Sequence, residues 1–556
     1  QNSCGVLMRF FLLTWFVWVT LAKASDPVLA KEFKIDNRVF NKISVSVDSL
    51  TEGLQSNVIA EIQLQGDSLV WIGTGSGLSL LRDSVSVVTF STGSSFTEGG
   101  STDFLPSGGI SAIAASNDTL FVATATTSGS NNPMGNGFVW STNSTDTTIT
   151  WTYFSQPTEA AADSLPPFAG KFFKALPVTV EEFNVTYDAS IAGNYIWITS
   201  WAGGLRRYDI VNNSWGRVPL PKDNQTDLNT CDTTLYGKTG EFTILEDFYL
   251  NPRNPSEGGN HNHKAFSVLA YSDTIWVGTA NGINRGILGT KGCVDWNHYA
   301  YPMENLTGNF VVSLARQDWN GQRIIWAATL NADDPTETRG LSYTTNDGGT
   351  WITTLIDKRV YNVIAHDSLV FAVTNDGIWK SEDGKTWAKF KGINQATPIS
   401  VFYYDLDEIL TSDMFSVAFD SRSYYPSHAL WIGSMDGLAR SSNLDGSNWK
   451  IYRANFDPAD VYAYPNPFSP DVHNVLDGDG YVRFHTDVKE SYVINVSVYN
   501  FAMELVYSSE YDRRENSGAL KWNGRDNRGN LVSNGSYFVR LEYDSKSEWV
   551  SLIVIK

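Results

Sequence analysis

The residues best suited to chemistry are few. His261 and His263 could place two imidazoles on one face of an extended segment, as metal ligands do. No convincing third ligand accompanies them, so we expect a solvated loop instead. The segment Leu476–Gly480 contains two aspartates but lacks the spaced acidic ligands and closing glutamate of an EF-hand loop. We expect a turn there and no cofactor, with a structural calcium ion as the open alternative.

Other catalytic patterns are missing from the sequence. It has neither Gly-x-Gly-x-x-Gly after a strand, nor a phosphate-loop lysine, nor His-Glu-x-x-His. No pair of carboxylates has a spacing that singles out an acid and a base at one bond. The sequence therefore favours a protein without catalysis. The alternative is a carbohydrate-active enzyme, a hydrolase or lyase.

The composition restricts the fold class and the kinds of binding partner. The 556 residues are 42% hydrophobic, 13% aromatic and only 18% charged, with 45 glycines, which favours folded β-structure over disorder. The net charge of −19 repels phosphate backbones and anionic lipid, so we exclude nucleic acid as a partner.

The N-terminal segment resembles an export signal. From Met8, one positive charge precedes an apolar stretch over 10–21 and the small residues Ala22 and Ala24. These are the zones of a secretory signal peptide, so we predict a leader over residues 1–24. A buried N-terminal strand is the alternative. The apolar stretch is too short to span a bilayer, and we predict no transmembrane segment in the mature chain.

Two cysteines remain after the leader, Cys231 and Cys293. In an oxidising compartment their most economical use is one disulfide that closes a long loop. Two free buried thiols are the alternative.

One pattern occurs seven times along the chain. Each copy has an apolar run with a large aromatic anchor, a small-residue turn, and a second run that opens at glycine, as in Leu69-Val-Trp-Ile-Gly-Thr before Gly77. The anchors are spaced 50, 76, 79, 50, 45 and 60 residues apart, close to the roughly 40 to 50 of propeller blades, with two inserts. They are Trp71, Phe121, Trp197, Trp276, Trp326, Phe371 and Trp431.

Further strand-like runs bring each copy to four strands. One such sheet cannot cover both of its faces, whereas sheets packed radially around an axis cover one another. We therefore predict an all-β fold, with a seven-bladed β-propeller over residues 34–456 and a C-terminal immunoglobulin-like β-sandwich.

The last three copies share an Asp-Gly turn before a tryptophan. We predict that Asp347, Asp383 and Asp445 cap the hairpin backbone there. The motif resembles the Asp-box of sialidase-type and sortilin-type propellers, where it is structural. The Trp-Ile-Gly-Thr pattern also resembles the periplasmic propellers of bacterial hybrid two-component sensors. Both resemblances imply a fold and not a function.

The C-terminal part has a different pattern. Prolines interrupt it over 457–470, which predicts a linker, and alternating runs over 471–556 predict the Ig-like domain. The stretch 522–539 resembles the Ig-like domain of the flagellar hook-assembly scaffold. Together with Tyr464-Pro-Asn-Pro-Phe it resembles the C-terminal sorting domain of type IX secretion substrates. The resemblance implies the secretion machinery as a partner, and an Ig-like module without a sorting role is the alternative.

Propellers present the turns between second and third strands around a central depression. Here those turns carry Trp201, Asn281, Asn375, Asp376 and Asp436, an aromatic plate among amides and carboxylates. Such a set suits a sugar or an extended peptide, although Trp201 could also be core filler. We therefore predict a recognition or scaffold protein that binds glycan or protein. We expect it to be secreted or attached to the surface of a Gram-negative-type bacterium.

Overall fold

A computed structural model describes most of the chain after residue 52. The described residues are 53–82, 87–130, 132–252, 261–332, 334–398, 404–454, 461–476, 478–486, 493–512, 519–544 and 546–556. Apart from 3₁₀ turns at Thr233–Leu235 and Thr290–Gly292, their regular structure is β-strand, which confirms the predicted all-β class. The predicted leader over 1–24 lies outside these residues. None of the described segments forms a helix long and apolar enough to cross a membrane.

Seven antiparallel sheets of four strands follow one another in the described chain, and sheets 2 and 4 each gain a fifth strand. Sheet 1 consists of Ile59–Gln65, Leu69–Thr74, Gly77–Leu81 and Val87–Thr89. Sheet 2 consists of Gly109–Ser116, Thr119–Thr127, Pro133–Ser141 and Trp151–Phe154 with Ser101–Thr102. Sheet 3 consists of Thr186–Ala192, Tyr195–Ser200, Gly204–Asp209 and Ser214–Arg217. Sheets 4 and 5 consist of Ala265–Tyr271, Thr274–Thr279, Gly282–Leu288 and Val294–Tyr299 with Asp227–Asn229, and of Phe310–Trp319, Gln322–Leu330, Gly340–Thr344 and Ile352–Thr354. Sheets 6 and 7 consist of Val360–His366, Leu369–Thr374, Gly377–Ser381 and Trp387–Lys389, and of Met414–Asp420, Ala429–Ser434, Gly437–Ser441 and Trp449–Tyr452.

The seven sheets form a ring. The first strand of each sheet lies beside the first strand of the next, and that of sheet 7 lies beside that of sheet 1. Asn57 joins the two ends: its carbonyl accepts a hydrogen bond from the Gly437 amide (2.7 Å), and its side-chain oxygen accepts one from the Ala454 amide (2.7 Å). Residues almost 400 positions apart therefore share hydrogen bonds where the ring closes.

The aromatic anchors fill the space between neighbouring sheets. All seven are at most 2% exposed. A buried indole N–H usually has a hydrogen-bond partner, and the first strand of the same sheet supplies it for four of the anchors. Trp71 donates to Gln65 (2.8 Å), and Trp431 donates to Asp420 (2.7 Å).

The Trp-Ile-Gly-Thr pattern has a steric explanation. At Gly433, an added Cβ would lie 2.6 Å from Cγ2 of Ile59 and 2.8 Å from its carbonyl oxygen, so only glycine lets sheet 1 approach sheet 7 this closely. The threonine or serine that follows the glycine holds the turn between the second and third strands through its hydroxyl group. In sheet 4, Thr279 donates to the Gly282 carbonyl (3.1 Å) and accepts from the Asn281 amide (3.0 Å).

A β-bulge interrupts the first strand of each of the seven described sheets near its start. A bulge re-aims the side chain that follows it. In four sheets that side chain hydrogen-bonds to the first strand of the following sheet, at 2.9 to 3.5 Å, and these residues are Asp188, Ser267, Ser313 and Ser416.

Two of the three Asp-Gly turns are capped as predicted from the sequence. Asp383 accepts backbone hydrogen bonds from Thr386 (2.7 Å) and Lys385 (2.8 Å), which hold the pKa of its carboxyl far below the usual range. Asp445 accepts one from the Ser447 amide (2.9 Å).

The first turn is capped by a different residue. Asn346 accepts the hydrogen bond from the Thr350 amide (2.9 Å), while the carboxylate of Asp347 lies 3.5 Å from the Arg285 guanidinium of sheet 4. This turn has one residue more between the third strand and its glycine than the turn of sheet 6 has, so the position two residues after the strand is Asn346 here and Asp383 there.

The two long inserts lie between sheets 2 and 3 and between sheets 3 and 4, and they pair with each other. Strands Pro167–Phe168 and Lys171–Ala175 from one insert join Phe242–Leu250 and Tyr236–Thr239 from the other in a four-stranded sheet. Outside the ring sheets, Thr92–Gly93 pairs with Leu105–Pro106 and Asn394–Pro398 pairs with Tyr404–Glu408. A disulfide joins Cys231 of the second insert to Cys293 of sheet 4, 62 residues away.

The C-terminal residues form two further sheets. One contains Tyr462–Tyr464, Val482–His485 and Lys521–Trp522, and the other contains Leu505–Asp512, Val493–Tyr499, Gly535–Tyr543 and Lys546–Val554. We call residues 461–556 the tail. Its two sheets enclose their own apolar core, which includes Trp522. The segment predicted as a linker contributes the strand Tyr462–Tyr464 and the fully buried Phe468.

We expect the substitution Gly433→Ala to lower the free energy of unfolding by about 1–3 kcal/mol, the usual cost of overpacking a core. The added methyl group would meet the Ile59 backbone, which cannot move without opening the ring. Gly216→Ala is the matched control, because a Cβ there would meet only the Pro167 carbonyl at 3.6 Å. Urea denaturation would measure both. Equal stability of the two variants would contradict the steric explanation.

Candidate functional site

Equivalent turns lie at the same end of the ring, because every sheet runs outward from its first strand in the same order. We call this end the turn face. It carries the turns between second and third strands, among them residues 75–76, 201–203, 280–281, 375–376 and 435–436. All five residues predicted to bind a ligand lie in these turns, but their environments differ.

Trp201 is half-buried at the turn of sheet 3. Its ring packs at 6.1 Å from the ring of Phe183, and Nζ of Lys264 lies 4.6 Å from its centroid. The indole thus packs against the core of the ring and still contributes surface to the turn face. An aromatic ring beside a cation suits stacking against a sugar or a peptide side chain.

A buried charged cluster supports the Trp201 turn. Arg206 donates to the side chain of Asn184 (3.1 Å) and lies 3.7 Å from Glu159, which also pairs with Arg217 at 3.1 Å. Burial, together with the neighbouring Arg217, lowers the pKa of Arg206 to about 10. Gly203 makes room for this guanidinium, since an added Cβ would lie 2.9 Å from its Cζ. The side chains behind this turn are therefore buried and joined to one another by hydrogen bonds and ion pairs.

Asn281 faces the second insert. Its side-chain nitrogen lies 3.4 Å from the Asp223 carbonyl, and its own carbonyl lies 2.6 Å from Nε2 of His298. The other ring nitrogen of His298 lies 2.8 Å from the Gln225 carbonyl. Asn281 is therefore part of a contact between ring and insert.

The histidine pair is not in a solvated loop, which corrects the expectation from sequence. His263 is 2% exposed and its ring packs 6.3 Å from that of Phe248, while the His261 amide donates to Asp223. Burial, with Arg217 nearby, lowers the pKa of His263 to about 3. Among the described residues there is no group of three or more histidine, cysteine, aspartate or glutamate side chains that could hold a metal ion.

Asn375 and Asp376 lie at the turn of sheet 6. Asn375 is exposed, and its amide donates to the Arg359 carbonyl (3.2 Å). Asp376 pairs with Lys358 (2.7 Å) and Lys389 (2.5 Å). Partial burial alone would raise its pKa, but the bonds and charges of the two lysines outweigh it and lower the pKa. Of these two residues, Asn375 is the more accessible to a ligand.

Asp436 is fully buried at the turn of sheet 7. Its carboxylate lies 2.7 Å from Arg453 of the ring and 3.1 Å from Arg483 of the tail, and it accepts a bond from the Leu410 amide (2.8 Å). The side chain is thus occupied by structural partners. No pattern near Asp436 in the sequence indicates these partners, because Arg483 lies 47 residues later, in the tail.

A cavity of about 390 Å³ lies on the ring axis, within the ~300–1,000 Å³ of small-molecule sites. It is lined by the first strands beyond their bulges, including Glu61, Asp188, Arg316 and Asn362. Asp188 accepts a backbone hydrogen bond from Val268 (2.9 Å). None of the five predicted turn residues lines this cavity. The structure therefore separates the turn face from the axial cavity.

Since the pKa of His263 is lower in the folded chain than its unfolded value of 6.5, acid should destabilise the protein through this residue. Below pH 6.5 the unfolded chain takes up a proton that the folded chain excludes, so the free energy of unfolding falls. Each pH unit should cost about 1.4 kcal/mol. Urea denaturation between about pH 5.5 and pH 7 should give a shallower pH dependence for His263→Asn than for the unmodified chain. If the free energy of unfolding had the same pH dependence in both chains, a buried and neutral His263 would be ruled out.

No family model and no curated protein matches the chain. Solved structures with similarity include PorZ, described as a surface component of the type-IX secretion system of Porphyromonas gingivalis, at 16% identity and a TM-score of 0.40. That match covers 92% of this chain but only 61% of PorZ. The extracellular domain of a hybrid two-component system from B. thetaiotaomicron has 11% identity and a TM-score of 0.23, with 91% and 99% covered. The β-propeller domain of Cps50 (Swd1) from Myceliophteria thermophila has 11% identity and a TM-score of 0.36, with 73% and 99% covered. At such identities we transfer no residue role from these proteins.

Proposed function

We propose that the chain is an exported, surface-associated recognition protein that binds a glycan or a protein through the turn face of a seven-bladed β-propeller. The seven consecutive sheets of the described residues, with sheet 7 beside sheet 1, support the propeller. The two-sheet tail with a separate core supports a C-terminal Ig-like domain. The propeller spans residues 34–456 in this proposal, and residues 471–556 belong to the sorting domain.

The observation that carries the binding proposal is the setting of Trp201. The indole is half-buried, has the cation of Lys264 beside it, and belongs to a turn whose base is the buried Arg206 cluster. A rigid aromatic side chain loses little conformational entropy when a ligand stacks on it. Asn375, exposed at the turn of sheet 6, adds an amide to the same face.

A carbohydrate-active enzyme is the second candidate, and the axial cavity is the observation that favours it. The cavity has the size of a ligand site and carries the carboxyl groups of Glu61 and Asp188. A glycoside hydrolase needs two carboxyl groups in acid and base or nucleophile roles. Asp188 is held by a backbone amide of the neighbouring sheet, which suits a structural role better than proton transfer.

A glycan and peptide array tests the binding proposal. We expect the unmodified chain to bind at least one class of array member. Trp201→Ala should weaken that binding about 10-fold or more, because stacking of a ring on an aromatic side chain is worth about 1–3 kcal/mol. Trp319→Ala is the matched control. Trp319 is 40% exposed but lies in a hairpin between first and second strands, at the opposite end of the ring.

Three outcomes separate the candidates. Equal loss in both variants would indicate general destabilisation rather than a binding site on the turn face. Turnover of an arrayed glycan that survives Trp201→Ala and disappears in Glu61→Gln would favour the enzyme. Absence of binding to all array members would contradict recognition of either class.

The sorting role is tested by fusing residues 458–556 to a periplasmic reporter in a cell with a type IX secretion system. We expect the reporter to reach the cell surface or the medium. A fusion that ends at Asn534 is the control, since it lacks the last two strands, Gly535–Tyr543 and Lys546–Val554, and with them half of the larger tail sheet. Retention of both fusions in the periplasm would refute the sorting assignment and leave an Ig-like module without this role.

A further inference from the structure

The tail is docked on the ring by charged groups. On the ring side, Asp407, Glu408 and Asp436 form an acidic surface beside sheet 7. Arg483 of the tail lies 3.1 Å from Asp436 and 3.6 Å from Asp407, and Lys521 of the tail lies 2.9 Å from Glu408. We call this set of side chains the latch. It joins two domains whose strands share no sheet in the described residues.

Arg453 shapes the acidic surface so that it accepts a second guanidinium. It pairs with both Asp407 (3.0 Å) and Asp436 (2.7 Å), and it also donates to the Glu408 carbonyl (2.8 Å). Two arginines thus share two aspartates. The opposite charges hold the pKa of Asp407 low, at about 2, although its burial would raise it, so Asp407 faces the arginines as a carboxylate.

Two further hydrogen bonds join tail and ring in the described part of the chain. Ser412 donates to the Val475 carbonyl (3.3 Å), and the Tyr464 hydroxyl donates to the Met435 carbonyl (3.4 Å). The apolar core of the tail contains no ring residue, and the ring cores contain no tail residue, among the clusters of the described chain. Domain interfaces without a large apolar area are usually reversible.

We propose that the acidic surface beside sheet 7 is a docking site for a pair of basic side chains on neighbouring strands, filled at rest by the chain's own Arg483 and Lys521, and that the latch opens without unfolding either domain. In the docked state the tail covers the turn of Asp436 on the turn face. In the undocked state both this sector of the turn face and the two basic side chains of the tail are accessible. The proposal does not depend on which ligand the turn face binds.

Spin labels on the full-length chain test it. The exposed positions Val211 of the ring and Phe501 of the tail, 67% and 78% exposed, can each carry a label through cysteine substitution. Pulsed electron spin resonance then gives the distance distribution between ring and tail. We expect one narrow distribution for the parent chain at moderate salt. Molar salt should make it about twofold broader, because screening weakens the partly exposed pair of Lys521 and Glu408, although it weakens the buried pair of Arg483 and Asp436 much less.

Charge variants link the result to the latch. Arg483→Asp and Lys521→Glu should each broaden the distribution, because each opposes like charges. Combining Lys521→Glu with Glu408→Lys should restore the narrow distribution. The control is Lys380→Glu, which removes an ion pair with Glu382 inside sheet 6 and should change nothing.

Two results would overturn the proposal. A broad distribution for the parent chain at moderate salt would mean that the tail is not docked. Narrow distributions for Arg483→Asp, Lys521→Glu and molar salt together would mean that other contacts hold it. Thermal unfolding of each variant checks the fold. If the Arg483→Asp variant unfolds, the variants Lys521→Glu and Lys521→Glu with Glu408→Lys test the proposal alone. Both of these side chains are about a quarter exposed, so charge changes there should leave the domains folded.

Discussion

The contact between the second strand of one sheet and the first strand of the next determines the architecture of the ring. At the point of closest approach the second strand has a glycine in sheets 1, 4 and 7, whereas Thr199 and Val373 occupy this position in sheets 3 and 6. Gly433 meets Ile59 there, and Gly278 of sheet 4 meets Val311 in the same way. The aromatic anchor two residues earlier fills the wider space nearby, and the hydroxyl residue that follows fixes the turn. Four residues of sequence thus encode packing, approach and turn together.

Local patterns predicted local structure well, and this accounts for what the sequence could reveal. The indole hydrogen bonds of Trp71 and Trp431, the glycine that opens the third strand in six of the seven described sheets, and the cap of Asp383 depend on neighbours within one sheet. The interpretation of Asp347 was wrong because Asn346 occupies the position two residues after the third strand, the position that Asp383 has in sheet 6. The spacing of that turn was visible in the sequence, but its consequence follows only from the backbone path.

The candidate site was less predictable because its character depends on distant partners. Trp201, Asn281, Asp376 and Asp436 occupy equivalent turns, yet each has a different partner from another element. Asp436 is paired with the tail, and Asn281 contacts an insert through His298. His263 is buried because the second insert covers it. A single sequence gives no information about such pairings, since charge and polarity at one position do not identify the residue that will face it.

Ring closure also affects how the molecule is made. Asn57 bonds to Gly437 and Ala454, the latter 397 positions later in the chain, so the flanks of sheets 1 and 7 stay uncovered until nearly the whole ring has been synthesised. Contacts of such long range form slowly, and uncovered strands invite association with other chains. The flank of sheet 1 is therefore open to such association during this interval. The completed ring, in contrast, has no terminal sheet from which unfolding can begin.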